Sequence, residues 1–169
     1  MRFNAMFILS FSALLLGGCS TAPRLHDRLP TSAAGTDPVA AGTPSEPSEV
    51  ALIALSLVGT RYAAGGGSPE TGFDCSGLVA YVFARSMQLR LPRNTFDLAR
   101  TGTAVEPGAL RPGDLVFYNT QRRAFSHVGI YLGDARFVHA PSTGGAVRIE
   151  EMDLRYWTQR FNGARRVSF

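Results

Sequence analysis

The sequence has no lysine, one tryptophan and only two cysteines among its 169 residues. Two cysteines cannot build the dense disulfide framework of small secreted proteins. All 17 basic residues are arginines, and the formal net charge is only +4. Without a basic helix or an aromatic-basic recognition motif, nucleic acid is not an expected partner. The apolar run over residues 7–16 is too short to span a bilayer comfortably.

Residues 1–18 have the pattern of a signal peptide, with Arg2 as a positive start followed by an apolar run. The segment Leu16-Gly17-Gly18-Cys19 resembles a bacterial lipobox with cleavage before Cys19. The resemblance implies that Cys19 becomes the lipidated N-terminus of the mature protein. Ser20 after it favours the outer membrane facing the periplasm, in the cell envelope of a Gram-negative bacterium. The alternative is an ordinary signal peptide that is discarded together with Cys19.

The chain after the signal peptide divides into two parts. Residues 19–46 are rich in proline, alanine, threonine, serine and glycine, and they contain few large apolar side chains. Such a segment cannot bury enough surface to offset the entropy of ordering, so we expect a disordered tether. Residues 47–169 fit a single folded domain.

The apolar periodicity changes along this domain from helical to extended. A helix is expected at residues 49–58, with Ser48 as N-cap, and a second helix begins at Cys75 with Asp74 as N-cap. Short strands separated by turn residues follow. Helices followed by a strand meander predict an α+β fold, in which the second helix packs on an antiparallel sheet of about five strands. The expected strands cover residues 114–118, 127–132, 136–140, 147–150 and 165–169.

Cys75 and two histidines are the candidate catalytic residues. Cys75 stays a free thiol in an oxidising compartment, which would be a liability for a purely structural residue. Its place at a helix N-terminus is expected to lower its pKa. His127 and His139 lie on neighbouring predicted strands, and they share a sheet face only if the connecting loop has an odd length; Gly129 between them would leave room for the helix backbone. A papain-like mechanism then makes Cys75 the nucleophile, His127 the base and His139 its orienting group.

Two other interpretations of these residues are less favoured. Taken one at a time, a buried cysteine is commonly a small hydrophobic residue, and a strand histidine is commonly a satisfied polar residue. The coincidence of a free cysteine at a helix start with two histidines at compatible parity argues against that interpretation for the set. A zinc site could use Cys75, His127, His139 and Asp114. No pair of these residues has the close spacing typical of zinc ligands, so no metal is expected.

Several segments together resemble the NlpC family of bacterial cell-wall cysteine endopeptidases. The resemblance runs from about residue 50 to residue 169, and its most specific part surrounds Cys75. The segments are Gly59-Thr60-Arg61-Tyr62, Gly72-Phe73-Asp74-Cys75-Ser76-Gly77-Leu78-Val79, Leu91-Pro92-Arg93, Pro112-Gly113-Asp114-Leu115-Val116-Phe117, His127-Val128-Gly129-Ile130-Tyr131 and Val138-His139-Ala140.

The resemblance implies a papain-like fold and cleavage of peptidoglycan stem or cross-link peptides near D-glutamate and diaminopimelate, without metal or cofactor. It implies that the Tyr62 hydroxyl helps to stabilise the oxyanion, and that Asp74 and Ser76 line the substrate pocket. Ala63-Ala64 departs from the bulkier pair of many relatives. Two alternatives remain: an amidase or acyl transferase on the same fold, and a non-catalytic lipoprotein that binds the cell wall or a partner enzyme.

Overall fold

The computed structural model describes residues 48–142 and 145–168. The predicted signal peptide, Cys19 and the tether therefore lie outside the described residues. Within those two ranges, no helix combines the length and apolar character needed to cross a membrane.

The described residues form four α-helices and one 3₁₀ turn, and the two long helices begin where the sequence predicts. Helix α1 begins after Ser48, whose hydroxyl accepts a hydrogen bond from the Ala51 amide at 3.2 Å. Its end is followed by Gly59 with a φ of +91°, a left-handed conformation that favours glycine. The helices are α1 Glu49–Ser56, α2 Cys75–Ser86, α3 Thr95–Leu98 and α4 Arg155–Thr158, and the 3₁₀ turn is Pro107–Ala109.

In the part of the chain that the structure describes, the strands form a small hairpin and one antiparallel six-stranded sheet, which confirms the α+β class. The sheet has the order β3-β8-β4-β5-β6-β7. The expectation of about five strands missed β3, and it started the last strand at residue 165 instead of Phe161 because Asn162 and Gly163 resemble turn residues. The strands are β1 Gly67–Ser68, β2 Gly72–Phe73, β3 Thr103–Val105, β4 Leu115–Tyr118, β5 His127–Gly133, β6 Arg136–His139, β7 Arg148–Glu151 and β8 Phe161–Arg166.

Alternating side chains of the sheet bury two separate apolar clusters. The larger cluster joins α1 and α2 to the sheet, and it includes Val79 of α2 with Val128 and Ile130 of β5. The smaller cluster lies on the opposite face, where Phe137 packs against Trp157. The sheet is therefore buried on both faces, and helix α2 covers only one of them.

The β5–β6 hairpin differs in one detail from the prediction. Its turn has two residues, Asp134 and Ala135, both with positive φ, where an odd loop was expected. A register shift between Tyr131 and Gly133 adds one residue to β5, and this bulge restores the parity. The two histidines consequently share a face of the sheet, as predicted, although a bulge brings this about and not an odd-length loop.

That face is not the one that α2 covers. The space beside Gly129 is filled by the Phe137 ring and the Val138 carbonyl, so the expectation that the helix backbone approaches Gly129 is wrong. Val128 and Val138 point toward the helices, while His127 and His139 point to the face of Trp157.

Candidate active site

Cys75 lies at the junction between the long helix and the sheet. It is the first residue of α2, its side chain is half-buried, and it packs against the larger apolar cluster. Three backbone amides lower the pKa of its thiol, those of Val128, Ser76 and Cys75 itself. Val128 directly follows His127, so the start of the helix meets the start of β5 at the main chain.

The carboxylate of Asp74 organises the start of α2. Its Oδ1 accepts a hydrogen bond from the Gly77 amide at 2.6 Å, which confirms Asp74 as the N-cap, and its Oδ2 accepts one from the Gly65 amide at 3.0 Å. Ser76 is buried and donates its hydroxyl proton to the Arg93 carbonyl, with its Oγ 3.0 Å from Asp74. The Ser76 hydroxyl is thus hydrogen-bonded within the protein, and the part of Asp74 and Ser76 in lining a substrate pocket stays a prediction.

Arg93 fastens the glycine-rich loop to the same helix start. Its guanidinium donates to the carbonyls of Gly65 and Gly66 at 3.1 and 2.9 Å, and it lies 3.5 Å from the Asp74 carboxylate. A side chain on Gly77 would collide with the Gly66 carbonyl. The segment Leu91-Pro92-Arg93 carried part of the family resemblance, but the sequence did not show what the arginine holds.

His127 and His139 form a buried pair on the other face of the sheet. His127 Nε2 and His139 Nδ1 are 2.7 Å apart, and the two rings are nearly perpendicular at 87°. The His127 ring nitrogen left for the thiol is Nδ1. Within the described ranges the Cys75 sulfur makes no direct hydrogen bond to either ring, and the amide of Val128, which follows His127 in the chain, is one of the groups that lower the pKa of the thiol.

Both imidazoles are held neutral by their surroundings. Burial, with a smaller contribution from the nearby Arg148 cation, lowers the pKa of His127 to about 4. Burial also lowers the pKa of His139, and the His127 and Arg148 charges lower it further. At neutral pH both rings are therefore uncharged, so the N–H of one ring donates a hydrogen bond to the bare nitrogen of the other.

The thiol is also held neutral, contrary to the expectation of a lowered pKa. The helix-start amides of Ser76 and Cys75, and the Val128 amide, do lower its pKa. Burial and the Asp74 carboxylate outweigh them and raise the pKa of Cys75 above its ordinary value. The resting pair is a thiol and an imidazole, and it is not the preformed ion pair that a lowered pKa would have given.

Tyr62 lies near the nucleophile, and its part in stabilising the oxyanion stays a prediction. It pairs with Phe73 in an isolated bridge, two residues before Cys75. Burial, then the Asp74 charge, and then the Cys75 charge once the thiol is deprotonated, raise the pKa of its hydroxyl. The Tyr62 hydroxyl therefore stays protonated and able to donate a hydrogen bond.

Residues that the sequence did not point to form a cavity beside the histidines. Its volume is about 420 Å³, and both His127 and His139 line it. Arg148 Nε donates to Glu150 Oε1 at 2.7 Å, and Trp157 Nε1 donates to the other Glu150 oxygen at 3.4 Å. In the sequence, the single tryptophan was the one feature that could have drawn attention to this cavity.

Asp114 lies apart from this site. Arg166 binds both of its carboxylate oxygens, at 2.8 and 2.6 Å, and the Arg111 amide donates to it at 2.8 Å. The zinc set that included Asp114 is therefore not assembled. Across residues 48–142 and 145–168, no cluster of three histidine, cysteine or acidic side chains is arranged to hold a metal ion.

Comparison with known proteins agrees with this geometry. The profile of the NlpC/P60 family matches residues 59–166. The chain belongs to the NlpC/P60 family. The probable endopeptidase NlpC of Escherichia coli K12 is 38% identical over 170 residues, covering 99% of this chain and 100% of that protein. Murein DD-endopeptidase MepH of the same organism is 42% identical over 116 residues, which is 67% of this chain.

Among solved structures, an NlpC/P60 family protein from Bacillus cereus ATCC 10987 is similar with a TM-score of 0.64 and 29% identity, over 70% of this chain and 39% of that one. The NlpC/P60 fold is thereby confirmed. The chain spans 43% of the length of MepH, and 49% and 30% of the lengths of two further curated relatives.

Proposed function

We propose that this protein hydrolyses amide bonds in the stem or cross-link peptides of peptidoglycan, near D-glutamate and diaminopimelate, by a Cys-His-His thiol mechanism. The observation that carries the proposal is the 2.7 Å contact between His127 Nε2 and His139 Nδ1. His127 starts the strand that contains Val128, whose amide lowers the pKa of the Cys75 thiol. Two of the relatives are named endopeptidases, one of them acting on murein, which supports the substrate class.

In the acylation step, Cys75 Sγ attacks the carbonyl carbon of the scissile amide while its proton passes to His127 Nδ1. Because the thiol pKa is raised and the His127 pKa is lowered, this transfer accompanies the attack. The developing oxyanion accepts hydrogen bonds from the Cys75 amide and the Tyr62 hydroxyl. His139 holds the His127 ring through the 2.7 Å contact at Nε2, which leaves Nδ1 to receive the thiol proton.

Collapse of the tetrahedral intermediate breaks the carbon–nitrogen bond. The proton on His127 Nδ1 passes to the leaving amine, and a thioester of Cys75 remains. His127 then takes a proton from a water molecule that attacks the thioester carbonyl. The new carboxylic acid leaves, and the proton returns to the thiol. Asp74 and Arg93 keep the helix start and the loop in place throughout.

Mass spectrometry of purified muropeptides tests the proposal. The full-length protein in mild detergent is incubated with them beside its Cys75→Ala variant, and Arg136→Gln serves as a surface control. We expect new amine and acid fragments with the native and control proteins and none with Cys75→Ala. The fragment masses identify the cleaved bond.

Other products would support the alternative functions. Products joined to an added acceptor amine would indicate an acyl transferase. If no fragment forms from any muropeptide while the protein is folded, a lipoprotein that binds the cell wall or a partner enzyme would replace hydrolysis, and Cys75→Ala would leave its cellular role intact.

We further propose that the protein is anchored through lipid on Cys19, outside the described residues, to the outer membrane facing the periplasm. The lipobox-like segment before Cys19 supports this. Metabolic labelling with a fatty acid, followed by membrane fractionation, tests it. We expect label in the outer-membrane fraction and its loss in Cys19→Ala; a native protein without label contradicts the anchor.

A further inference from the structure

The cavity beside the histidine pair combines an apolar wall with charged groups. Leu154, Tyr156 and Trp157 provide the apolar wall, and Arg148 and Glu150 provide the charges. It is large enough for one amino-acid residue. Since His127 lines it and must reach the leaving amine to protonate it, the residue that carries that amine is the part of the substrate placed next to the cavity.

The proton positions in the histidine pair leave a donor without a partner. His127 Nδ1 can accept the thiol proton only if the ring carries its own proton on Nε2, which is then donated to His139 Nδ1. His139 consequently carries its proton on Nε2. That residue is 1% exposed, and Nε2 has no hydrogen-bond partner in the described structure. A buried N–H group of this kind requires an acceptor.

Arg148 is held so that its terminal nitrogens remain available. Its Nε is bound to Glu150, which is in turn bound by the Trp157 indole, and this orients the guanidinium in the cavity wall. Its two Nη nitrogens make no hydrogen bond to residues 48–142 or 145–168. A guanidinium with a free fork is suited to binding a carboxylate.

We propose that this cavity binds a carboxylate of the substrate residue that carries the leaving amine, with Arg148 and His139 Nε2 as its hydrogen-bond donors. The proposal rests on the proposed hydrolysis, because the leaving amine defines which residue enters the cavity. Arg148 is then a specificity-determining residue, which selects acidic leaving residues over neutral ones. Glu150 is turned to Arg148 Nε and Trp157, and it acts by positioning the guanidinium.

The test compares two synthetic tripeptides, L-alanyl-γ-D-glutamyl-diaminopimelate with its diaminopimelate carboxylates free or as primary amides. For the native full-length protein, we expect amidation to lower kcat/KM roughly 10- to 100-fold, mainly through KM, as for loss of a charge-assisted hydrogen bond. In Arg148→Gln the two peptides should be cleaved within about 3-fold of each other. Arg148→Lys, which keeps the charge but loses the fork, should fall between. Arg136→Gln, at an exposed pair on β6, should keep the full discrimination.

Calorimetric binding of both peptides to Cys75→Ala provides a readout that needs no turnover. Tighter binding of the free acid, lost when Arg148→Gln is added, supports the subsite even if neither peptide is cleaved. Equal cleavage of the two peptides by the native protein overturns the subsite and leaves the proposed hydrolysis standing. Cleavage of neither peptide overturns hydrolysis of this bond, and equal binding in that case overturns the subsite too. Discrimination that persists in Arg148→Gln also overturns it.

Discussion

His127 and His139 meet at 2.7 Å because a bulge in β5 offsets the parity of the two-residue turn that joins their strands. Without the extra residue, the turn at Asp134 and Ala135 would have sent the two side chains to opposite faces of the sheet. The backbone geometry of the hairpin therefore determines whether the two imidazoles can form a pair.

If His139 orients the His127 ring, variants of His139 should lose activity to different degrees. We expect His139→Ala to lower kcat/KM by on the order of 10² to 10⁴-fold, since the His127 ring loses the group that sets its tautomer. His139→Asn, whose amide oxygen can still accept from His127 Nε2, should retain more activity than His139→Ala. Steady-state kinetics on a cleavable muropeptide measure the order. Equal activity of the two variants would contradict an orienting part for His139.

The raised pKa of the thiol predicts slow alkylation at neutral pH. Iodoacetamide should modify Cys75 slowly at pH 7, with a rate that rises up to and beyond pH 9, because only the thiolate reacts. Asp74→Asn should speed the reaction at pH 7 several-fold, since it removes a nearby negative charge and asparagine still caps a helix.

Intact-mass measurements over time give these rates, and complete alkylation should abolish hydrolysis. Asp134→Asn, which removes an exposed carboxylate in the hairpin turn, is the matched control and should not change the rate. A rate profile that reaches its plateau below pH 8 would show that a thiolate is already present in the resting protein.

The buried neutral histidines predict acid sensitivity. Their pKa is lower in the folded state than the ordinary 6.5, so the unfolded chain binds more protons below that pH. The stability is complete above pH 6.5 and falls as the pH drops toward about 4, by up to about 1.4 kcal/mol per pH unit for each histidine.

Urea unfolding at a series of pH values measures this slope, and His139→Gln should reduce it. A free energy of unfolding that stays constant between pH 6.5 and 4, after allowance for the carboxylates, would mean that the histidines remain able to take up protons in the folded state.

The ion pair of Asp114 and Arg166 joins β8 to the loop before β4. Asp114 is buried and Arg166 is only 30% exposed, so Asp114→Ala leaves a partly buried cation without its partner. We expect a loss of about 2–4 kcal/mol in the free energy of unfolding. Asp134→Ala breaks the exposed pair with Arg136 and should cost less than about 1 kcal/mol. Similar losses of stability in both variants would show that burial does not strengthen the ion pair of Asp114 and Arg166.

Sequence patterns within single helices and strands predicted much of the fold and of the candidate site. The features that they did not predict depend on contacts between segments far apart in the sequence. Asp74 as a cap and the inward face of α2 follow from spacing within one helix. The raised pKa of Cys75 does not follow from this spacing, because burial of the thiol in the folded protein and the Asp74 charge outweigh the backbone amides that lower the pKa.

The same distinction applies to the two groups of residues that the sequence left unassigned. Arg93 reaches the loop at Gly66 from 27 positions away, and Trp157 meets Glu150 only through the packing of α4 on the sheet. The bulge near Tyr131 has no residue of special type to mark it. Such features depend on tertiary geometry, which the periodicity of a single element does not contain.

The close approach of Gly66 to Gly77 has a consequence for how the protein tolerates change. The Gly66 carbonyl occupies the space that a side chain on Gly77 would need, and the Asp74 and Arg93 side chains hold the loop to the helix start around this contact. The distance between the loop and the sulfur is thus fixed by main-chain and polar contacts in addition to the packing of the interior. A single added methyl group at Gly77 would push the loop away from the reactive centre, whereas one at Gly66 would collide with the Gly72 carbonyl inside the loop.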